Sequence, residues 1–358
     1  MGEKVLMKGN EAIAEAAIRA GCRYFFGYPI TPQNEIPEYM ARRLPQVGGV
    51  FLQAESEVAA INMVYGAAAA GGRVMTSSSG PGISLKQEGL SYMAGAELPC
   101  VVVNMVRAGP GLGGIQAAQS DYFQATKGGG HGDYRLVVYG PASIQEAVDL
   151  MAHAFDVADR YRTPVMLLGD GMLGQMMEPV EFPDYQVNIP VKDWITNGAS
   201  GRPARVISSI FLKPEELDAH CWAMKRKYEE IAENETRVEC LGLDDADFCL
   251  VAYGTTARIC RSVMEKARES GLRVGLIRPI SLWPFPTNTI REVASGNVKA
   301  FLTVEMSTGQ MIEDVMLAVN GKKPVHFYGK TGGMVPAPRD ILAKLRVVAD
   351  DPEKGRMN

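Results

Sequence analysis

The sequence predicts an α/β fold built from two tandem domains, each with a parallel sheet. Helical and strand-like segments alternate from residue 10 to about residue 170, and the alternation starts again near Asp244. The strand segments, such as LPCVVVNMV and TPVMLLGD, are nearly continuous apolar runs, which is typical of parallel strands covered by helices on both faces. We therefore expect domains at residues 1–187 and 244–358, joined by a connector at residues 188–243.

The first domain is predicted to begin with an alanine-rich helix over residues 10–20, with Asn10 as its N-cap and Gly21 just beyond its end. A short buried strand, CRYFFGYP, follows. Residues 56–70 predict a second helix, whose buried face carries apolar side chains at helical spacing: Val58, Ile61, Val64, Tyr65 and Ala68.

Later segments of this domain continue the alternation. GRVMTSSSGPG predicts a strand that runs into a turn, SLKQEGLSYMAGAE predicts a helix, and LPCVVVNMVR predicts a strand. Ser143 and Glu146 have the spacing of a capping box at the start of a long helix. The buried face of that helix is expected to carry Ile144, Ala147, Val148, Met151, Phe155 and Ala158.

The alternation stops in the connector. NIPVKDWITNGASGRPARV predicts an extended chain, and an amphipathic helix follows it, with apolar residues at helical spacing: Leu217, Cys221, Met224, Tyr228 and Ile231. We expect this helix to pack across the domain junction; a helix that faces a partner protein is the alternative. The second domain repeats strand, glycine turn and helix from DFCLVAYG onward, with a proline-rich exit at RPISLWPFP.

The composition excludes several classes of protein. Of the 358 residues 46% are hydrophobic, and a net charge of −4 offers no basic surface for nucleic acid. No run approaches the roughly 18 apolar residues of a membrane helix, and MGEKVLMKGNEA has no apolar secretion signal. We therefore expect a cytoplasmic protein without a membrane partner. The six cysteines include no C-x-x-C pair, which argues against zinc or an iron–sulfur cluster in this chain, and most are predicted to be buried free thiols.

The stretch GYPITP follows the first predicted strand, at the end where open α/β sheets bind ligands. Pro29 and Pro32 each fix a φ angle and remove a backbone donor, so they stiffen the loop around Ile30 and Thr31. The pattern predicts a rigid rim that presents the Thr31 hydroxyl to a ligand. An ordinary proline-rich loop is the alternative.

Two charged residues are candidates for chemistry. Glu57 begins a helix and is followed by Val-Ala-Ala, so its carboxyl is expected beside an apolar surface that desolvates it and perturbs its pKa. The alternative is that Glu55 and Glu57 only complement the helix N-terminus. Arg107 follows a buried strand, where its guanidinium can hold a carboxylate by two hydrogen bonds; a surface arginine is the alternative.

Two glycine motifs match known cofactor-binding patterns, but the residues around them do not fit those patterns. Residues 109–114 match G-x-G-x-x-G, yet the glycines open no predicted helix and no acidic residue closes a following strand, so we reject a dinucleotide site. The GDG at Gly169 resembles the start of the thiamine-diphosphate metal motif, with Asn188 at a suitable distance. That motif needs a helix and a strand between them, which Pro179 and Pro183 are predicted to preclude. We therefore expect a tight turn there, with Asp170 not a metal ligand.

The order of the motifs is more specific than any one of them. GYPITP, ESEVAAINMVYGAAAAG, TSSSGPG and LPCVVVNMVRAGPG together resemble the pyrimidine-binding domain of 2-oxoacid:ferredoxin oxidoreductases. RPISLWPFP is similar to the transketolase C-terminal-like domain of the same subunits, so the resemblance runs from Gly9 to about Leu345. YPITPQNEIPEYM, GGHGDYR and LGDGMLGQMMEPVEF most resemble the α-type subunit of the branched-chain, 3-methyl-2-oxobutanoate (ketoisovalerate) enzymes.

The resemblance implies roles for the candidate residues. Glu57 stands where the family's glutamate contacts N1′ of the thiamine aminopyrimidine, Arg107 where an arginine binds the substrate carboxylate, and Thr31 beside the reacting centre. Further cofactor contacts are implied for Tyr28, Pro29, Ile30 and Ser79. Members acting on 2-oxoglutarate often show RGGPSTG in the arginine loop, whereas this chain has RAGPGLG. Leu112 therefore favours an apolar branched substrate over a second carboxylate.

The resemblance also implies an enzyme made of several subunits that oxidatively decarboxylates a 2-oxoacid. The thiamine diphosphate would be shared with a diphosphate-binding β-type subunit. Mg²⁺ and 4Fe–4S clusters would lie on partner chains, which include a γ-type and a ferredoxin-like iron–sulfur subunit. CoA would be a substrate and an external ferredoxin the electron acceptor. The alternatives are 2-oxoglutarate or pyruvate as substrate, a nicotinamide dehydrogenase using residues 109–114, and a non-catalytic scaffold.

Overall fold

The computed structural model describes residues 4–187 and 189–357. Within these residues the strands are, in chain order, β1 (Val5–Lys8), β2 (Tyr24–Gly27), β3 (Val50–Gln53), β4 (Val74–Ser78), β5 (Cys100–Val106), β6 (Val137–Tyr139), β7 (Pro164–Asp170), β8 (Met177–Val180), β9 (Val238–Leu241), β10 (Phe248–Val251), β11 (Val274–Pro279), β12 (Ser281–Trp283), β13 (Ala300–Glu305) and β14 (Val325–Gly329).

The helices cover both faces of the sheets. They are α1 (Gly9–Arg19), α2 (Glu35–Arg43), α3 (Glu57–Ala69), α4 (Pro81–Gly95), α5 (Tyr122–Thr126), α6 (Ile144–Tyr161), α7 (Gly171–Gln175), α8 (Pro214–Asn234), α9 (Gly254–Glu269), α10 (Thr287–Ser295), α11 (Met311–Val319) and α12 (Pro338–Asp350). A short 3₁₀ helix, Leu44–Val47, follows α2.

Two mainly parallel sheets confirm the predicted fold class. Over the described residues the first sheet has seven strands in the order β12-β6-β7-β5-β4-β2-β3, and the second has five in the order β14-β13-β10-β11-β9. One edge strand of each is antiparallel, β12 against β6 and β9 against β11. β9 lies within the predicted connector, yet it belongs to the second sheet. The order of the first sheet brings the carboxyl ends of β2, β4 and β5 to the same edge.

The prediction of Asn10 as an N-cap is wrong. α1 begins one residue earlier, at Gly9, with Lys8 as its N-cap residue. A Cβ built on Gly9 would lie 2.0 Å from the Leu173 carbonyl oxygen, so only glycine permits this close approach. The Asn10 amide is instead buried and donates to the Pro32 carbonyl at 2.8 Å and to Glu35 at 2.8 Å. Its role is to hold the loop after β2.

The predicted buried residues are confirmed completely in one helix and only in part in two others. Ser143 Oγ accepts from the Glu146 amide at 3.1 Å, and every predicted core residue of α6 is buried. In α3, Val58 was predicted to be buried but is 42% exposed. This helix is apolar around most of its circumference, so the spacing of apolar residues does not identify which face is buried. In α8, Met224, Tyr228 and Ile231 are buried, but Leu217 in its first turn is 43% exposed.

The connector is largely extended. It contains no helix or strand between residues 189 and 213, as predicted, and Asn188 lies outside the described residues. α8 then packs on the first domain, since Lys227 Nζ lies 2.9 Å from Glu97 Oε1 and the Tyr228 ring meets the edge of Trp283 on β12. The expected packing at the domain junction is confirmed.

Two predictions about the region after β7 are wrong. Pro179 lies within β8, which pairs with β1 in a separate two-stranded ribbon, and a proline is tolerated there because each strand has an unpaired edge. Asp170 does not close a tight turn. It caps the short helix α7, accepting from the amides of Met172 at 2.9 Å and Leu173 at 3.1 Å.

Polar side chains join the two sheets at their junction. The Gln119 amide donates to the Tyr253 carbonyl at 2.9 Å, while its oxygen accepts from the Met306 amide at 2.9 Å. Arg278 on β11 donates to both carboxylate oxygens of Glu146 on α6, each at 2.8 Å. Two-point bonds of this kind fix orientation as well as distance, so this pair holds α6 of the first domain against β11 of the second.

Other global features agree with the composition. Four of the six cysteines are buried, Cys22, Cys100, Cys249 and Cys260, and all six are free thiols. Among the described residues, no helix is both long and apolar enough to cross a membrane.

Candidate functional site

The GYPITP loop, the serine run and the arginine loop meet at the carboxyl edge of the first sheet. They follow β2, β4 and β5, and this edge is where open α/β sheets place ligands. Arg107 Nη1 donates to the Thr31 carbonyl at 3.0 Å, and its Nη2 donates to the Leu112 carbonyl at 3.1 Å. The structure therefore brings Thr31 and Arg107 together, as the sequence predicts, and links both to the loop of Leu112.

The loop after β2 is fixed by its buried base. Pro32 is buried, and its carbonyl accepts from Asn10 at 2.8 Å and from Gln175 at 3.1 Å. Gln33 is fully buried, donates to the Tyr28 carbonyl at 3.3 Å and accepts from the Ser77 hydroxyl. Gln33 was missed by the sequence analysis, since a lone glutamine after a proline has no distinctive pattern.

The rim of the same loop is accessible. Pro29 and Thr31 are exposed, while Tyr28 and Ile30 are half-buried. Thr31 also lines a cavity of about 530 Å³ with Pro32 and residues of α7. Buried polar contacts therefore stiffen the loop together with the two prolines, while the Thr31 side chain remains accessible.

Glu57 is the first residue of α3 and is buried, with 7% exposure. Ser56 caps the helix by accepting from the Ala59 amide at 3.1 Å, so Glu57 is not needed as the cap. A Cβ added to Gly82 on α4 would lie 2.7 Å from Glu57 Oε1 and 2.1 Å from Ser78 Oγ. A side chain at position 82 would therefore displace the Glu57 carboxylate from its place between α3 and α4. Glu55, by contrast, is exposed.

A buried lysine accompanies Glu57. Lys86 lies one turn after Gly82 on α4, is fully buried, and places Nζ 3.5 Å from the Glu57 carbonyl oxygen. Burial lowers the pKa of the Lys86 ammonium to about 8, although the negative charge of Glu57 acts to raise it. Sequence reasoning missed this residue because SLKQEG reads as a solvated helix face. The one available signal was its spacing of four from Gly82.

Several polar atoms at this edge have no partner among the described residues. They include the buried hydroxyls of Ser78 and Ser79 and the Nε of Arg107. Gly80, with φ of +44°, passes close to the Arg107 side chain, since a Cβ there would lie 3.7 Å from Arg107 Cγ. Buried polar atoms are normally paired, so these are available to a ligand.

A cleft of about 1020 Å³ separates the two sheets at this edge. Arg107, Gly109 and Asp121 line it from the first domain, and residues 306–308 with 331–332 line it from the second. Burial raises the pKa of Asp121 despite its bond to Asn104 and the nearby charge of Arg107. Neither Glu57 nor Leu112 lines this cleft. The Leu112 side chain is 83% exposed, and only its carbonyl contacts Arg107.

Neither glycine motif has the local structure of a metal site or a dinucleotide-binding loop in the described residues. Residues 109–114 open no helix, and no cluster of three or more acidic, cysteine or histidine side chains that could hold a metal occurs in residues 4–187 and 189–357. Asp170 is buried as a helix cap, and burial raises the pKa of its carboxyl.

Two family models match the chain. The model described as pyruvate flavodoxin/ferredoxin oxidoreductase, thiamine diphosphate-binding, matches residues 15–239. The model of pyruvate:ferredoxin oxidoreductase core domain II matches residues 246–341.

Known proteins resemble the chain over nearly its whole length. Ketoisovalerate oxidoreductase subunit VorB of Methanothermobacter thermautotrophicus is 52% identical, covering 97% of this chain and 98% of the relative. The 2-oxoglutarate synthase subunit KorA of the same organism is 36% identical, covering 96% and 98%. The solved 2-oxoglutarate:ferredoxin oxidoreductase from Magnetococcus marinus superposes with a TM-score of 0.87 at 26% identity, covering 97% of this chain and 65% of that chain.

A solved split-gene transketolase covers 97% of this chain and 98% of that chain at a TM-score of 0.59 and 13% identity, which is a likeness of fold alone. The family models and the curated relatives go further, because the models match residues 15–239 and 246–341 and a relative is 52% identical over 97% of this chain. The chain therefore belongs to the pyruvate flavodoxin/ferredoxin oxidoreductase family, as an α-type subunit of the 2-oxoacid:ferredoxin oxidoreductases.

Proposed function

We propose that this chain is one subunit of a thiamine-diphosphate-dependent enzyme that oxidatively decarboxylates 3-methyl-2-oxobutanoate. CO₂ leaves, the acyl group passes to the thiol of CoA, and the electron pair passes to ferredoxin in single-electron steps. Relatives named ketoisovalerate oxidoreductase subunit VorB, 52% and 50% identical, support this substrate. The thiamine-diphosphate-binding family model over residues 15–239 supports the cofactor.

The surroundings of Glu57 fit an aminopyrimidine ring. The carboxylate is buried against Gly82, and the hydroxyls of Ser78 and Ser79 lie unpaired in the same region. Glu57 holds a proton against ring nitrogen N1′, Tyr28 and its neighbours Pro29 and Ile30 line the ring, and Ser79 lies beside it. When bound, thiamine diphosphate supplies a carbon nucleophile and an electron sink for decarboxylation.

Arg107 binds and orients the carboxylate of the substrate. Two of its nitrogens are committed to the carbonyls of Thr31 and Leu112, and its unpaired Nε remains for a ligand. The anchored guanidinium is fixed in place before the substrate arrives, which lowers the entropic cost of orienting it. The adjacent Thr31 lies beside the reacting carbonyl.

We also propose the division of labour within the complex. Residues 1–187 form the pyrimidine-binding domain, residues 188–243 the connector, and residues 244–358 the transketolase C-terminal-like domain. A β-type subunit holds the diphosphate and Mg²⁺, a ferredoxin-like subunit holds 4Fe–4S clusters, and a γ-type subunit completes the assembly, with external ferredoxin as acceptor. Free thiols such as Cys22 are typical of proteins in the reducing cytoplasm, where we place the complex.

The observation that carries this proposal is the burial of the Glu57 carboxylate directly against Gly82, where an added Cβ would displace it. The test is Glu57→Gln in the assembled complex, with Glu55→Gln, an exposed neighbour, as the matched control. We expect kcat to fall at least about 100-fold for Glu57→Gln and to stay within about twofold for Glu55→Gln. Turnover of 2-oxoacids by Glu57→Gln at nearly the native rate would show that the assignment is wrong.

A second substrate, 2-oxoglutarate, is favoured by the solved relative whose title includes bound 2-oxoglutarate and by the KorA relatives. The ratio of kcat/KM for 3-methyl-2-oxobutanoate and 2-oxoglutarate distinguishes the two substrates. Leu112→Thr should move this ratio towards 2-oxoglutarate by about tenfold, because an apolar contact becomes a hydroxyl. Ile115→Thr, another exposed residue of the same loop, is the control. An unchanged ratio in Leu112→Thr would remove Leu112 from the substrate site.

A further inference from the structure

Lys86 is a fully buried cation that the proposed mechanism does not use. It is fully buried between α4 and α3, and its ammonium contacts the carbonyl oxygen of Glu57 at 3.5 Å. Burying an ammonium costs free energy unless an opposite charge compensates it. A methionine or leucine would fill such a space without that cost, so the charge itself requires an explanation.

The compensating charge is Glu57. Gly82 and Lys86 lie one helical turn apart on α4, and both face the first turn of α3. The Glu57 carboxylate packs against Gly82 while the carbonyl of the same residue accepts from Lys86. Both side chains therefore lie between α3 and α4, where the charge of Glu57 acts on the Lys86 ammonium.

Other charged groups near these helices are directed elsewhere. Glu88 on α4 is exposed and accepts from the Tyr92 hydroxyl, and Glu55 before α3 is exposed. Gln87, next to Lys86, contacts the neutral Tyr134 hydroxyl of the glycine-rich loop. On β7, the strand that also touches α4, Asp170 caps α7. The electrostatic partner of Lys86 is thus Glu57.

We propose that Lys86 is a positioning residue for Glu57: its buried ammonium anchors the first turn of α3 and places a positive charge near the Glu57 carboxylate, so that the carboxylate is oriented towards N1′ of thiamine diphosphate. This inference rests on the proposed function of Glu57. It adds a second residue, from a different helix, to the group that prepares the cofactor site.

The proposal predicts an alkaline limit on cofactor affinity. The pKa of Lys86 is lowered to about 8 by burial, so the ammonium loses its proton above that pH and Glu57 loses its counter-charge. Affinity for thiamine diphosphate should then fall by up to about tenfold per pH unit. Binding at pH 8 should also take up protons, because the cofactor prefers the protonated form. Titration of the diphosphate of the cofactor does not overlap this pH range, since phosphate groups titrate at about pH 6.

The experiment measures thiamine diphosphate binding to the cofactor-depleted complex by calorimetry, from pH 7 to 9.5, in buffers of different protonation enthalpy. Lys86→Met should weaken binding at pH 7 by at least about tenfold and remove both the alkaline limit and the proton uptake. Lys192→Met is the matched control. Lys192 is also a buried lysine of the first domain, but it pairs with Asp159 at 2.7 Å, away from Glu57.

Each outcome is decisive. If Lys86→Met binds the cofactor like the native complex, with the same pH profile, the proposal is overturned. If Lys86→Met does not assemble, the native complex alone decides, because an absence of proton uptake near pH 8 contradicts the proposal. If the native complex binds no thiamine diphosphate at all, the proposed function itself is wrong. That result is distinguishable from failure of the Lys86 proposal, in which the cofactor binds but without the dependence on Lys86.

Discussion

Gly82→Ala tests the cofactor site with a single methyl group. The added Cβ would lie 2.1 Å from Ser78 Oγ and 2.7 Å from Glu57 Oε1, whereas ordinary contacts begin at 3.4 Å. The Ser78 hydroxyl must rotate away, and the Glu57 oxygen must move by about 0.7 Å, the difference between 2.7 and 3.4 Å. A misplacement near 1 Å at a catalytic group costs up to about 100-fold in rate. We therefore expect kcat to fall about 10- to 100-fold.

The effect on stability should be much smaller. Alanine is preferred to glycine inside a helix by about 1 kcal/mol, which offsets part of the roughly 1–3 kcal/mol of steric strain from overpacking. The complex should therefore assemble and melt within a few degrees of the native one. Loss of activity without loss of stability is the signature we expect.

Gly66→Ala supplies the control. Gly66 lies within α3, and a Cβ there would meet nothing within 4 Å. This variant gains helix preference without a clash, so it should be slightly more stable and fully active. The assays are steady-state oxidation of 2-oxoacid with ferredoxin and thermal melting of the complex. If Gly82→Ala retains native kcat and cofactor affinity, Glu57 is not the residue that meets the cofactor.

Three further predictions concern the arginines. Arg107→Lys keeps the charge but loses the two bonds to loop carbonyls, so KM for the 2-oxoacid should rise about 10- to 100-fold in steady-state assays, and an unchanged KM would contradict substrate binding by Arg107. Arg278→Met removes both bonds to Glu146 at the junction and should lower the free energy of unfolding by about 2–4 kcal/mol in denaturant titrations, whereas Arg339→Met, at 89% exposure, should not. Burial acts to raise the pKa of Glu239, but the bonds and charges of Arg278 and Arg261 together lower it. These contacts therefore stabilise the fold above about pH 4.3, and the stabilisation is lost as pH falls below that value. Glu239→Gln should reduce the acid dependence of the melting temperature, and an unaltered dependence would show that these contacts contribute nothing.

Local pattern was sufficient for most of the helices and strands. The capping box at Ser143, the continuous apolar strands and the amphipathic α6 each depend on neighbours within a few residues, and all formed as predicted. Patterns failed where packing overrode them. Asn10 became a tether for the loop after β2 because Gly9 approaches Leu173 too closely for any side chain.

The strand β12 shows a different limit. Its residues, Ser281–Trp283, follow the second domain's strand β11 directly, yet they pair with β6 at the edge of the first sheet. No local propensity distinguishes these two partners, since the choice depends on how the sheets pack. The crossing links the domains and helps to form the cleft between them.

The sequence by itself determined the fold class, the order of motifs and the proposal of Glu57, Arg107 and Thr31 as site residues, because each follows a strand or begins a helix in a readable pattern. Only the tertiary structure decided that Arg107 holds the Thr31 loop, that Gly82 makes room for Glu57 and that Lys86 lies buried beside it. These contacts join residues 25 to 76 positions apart in the chain. Burial and charge at such distances depend on the packing of helices and strands, which periodicity along the chain does not encode.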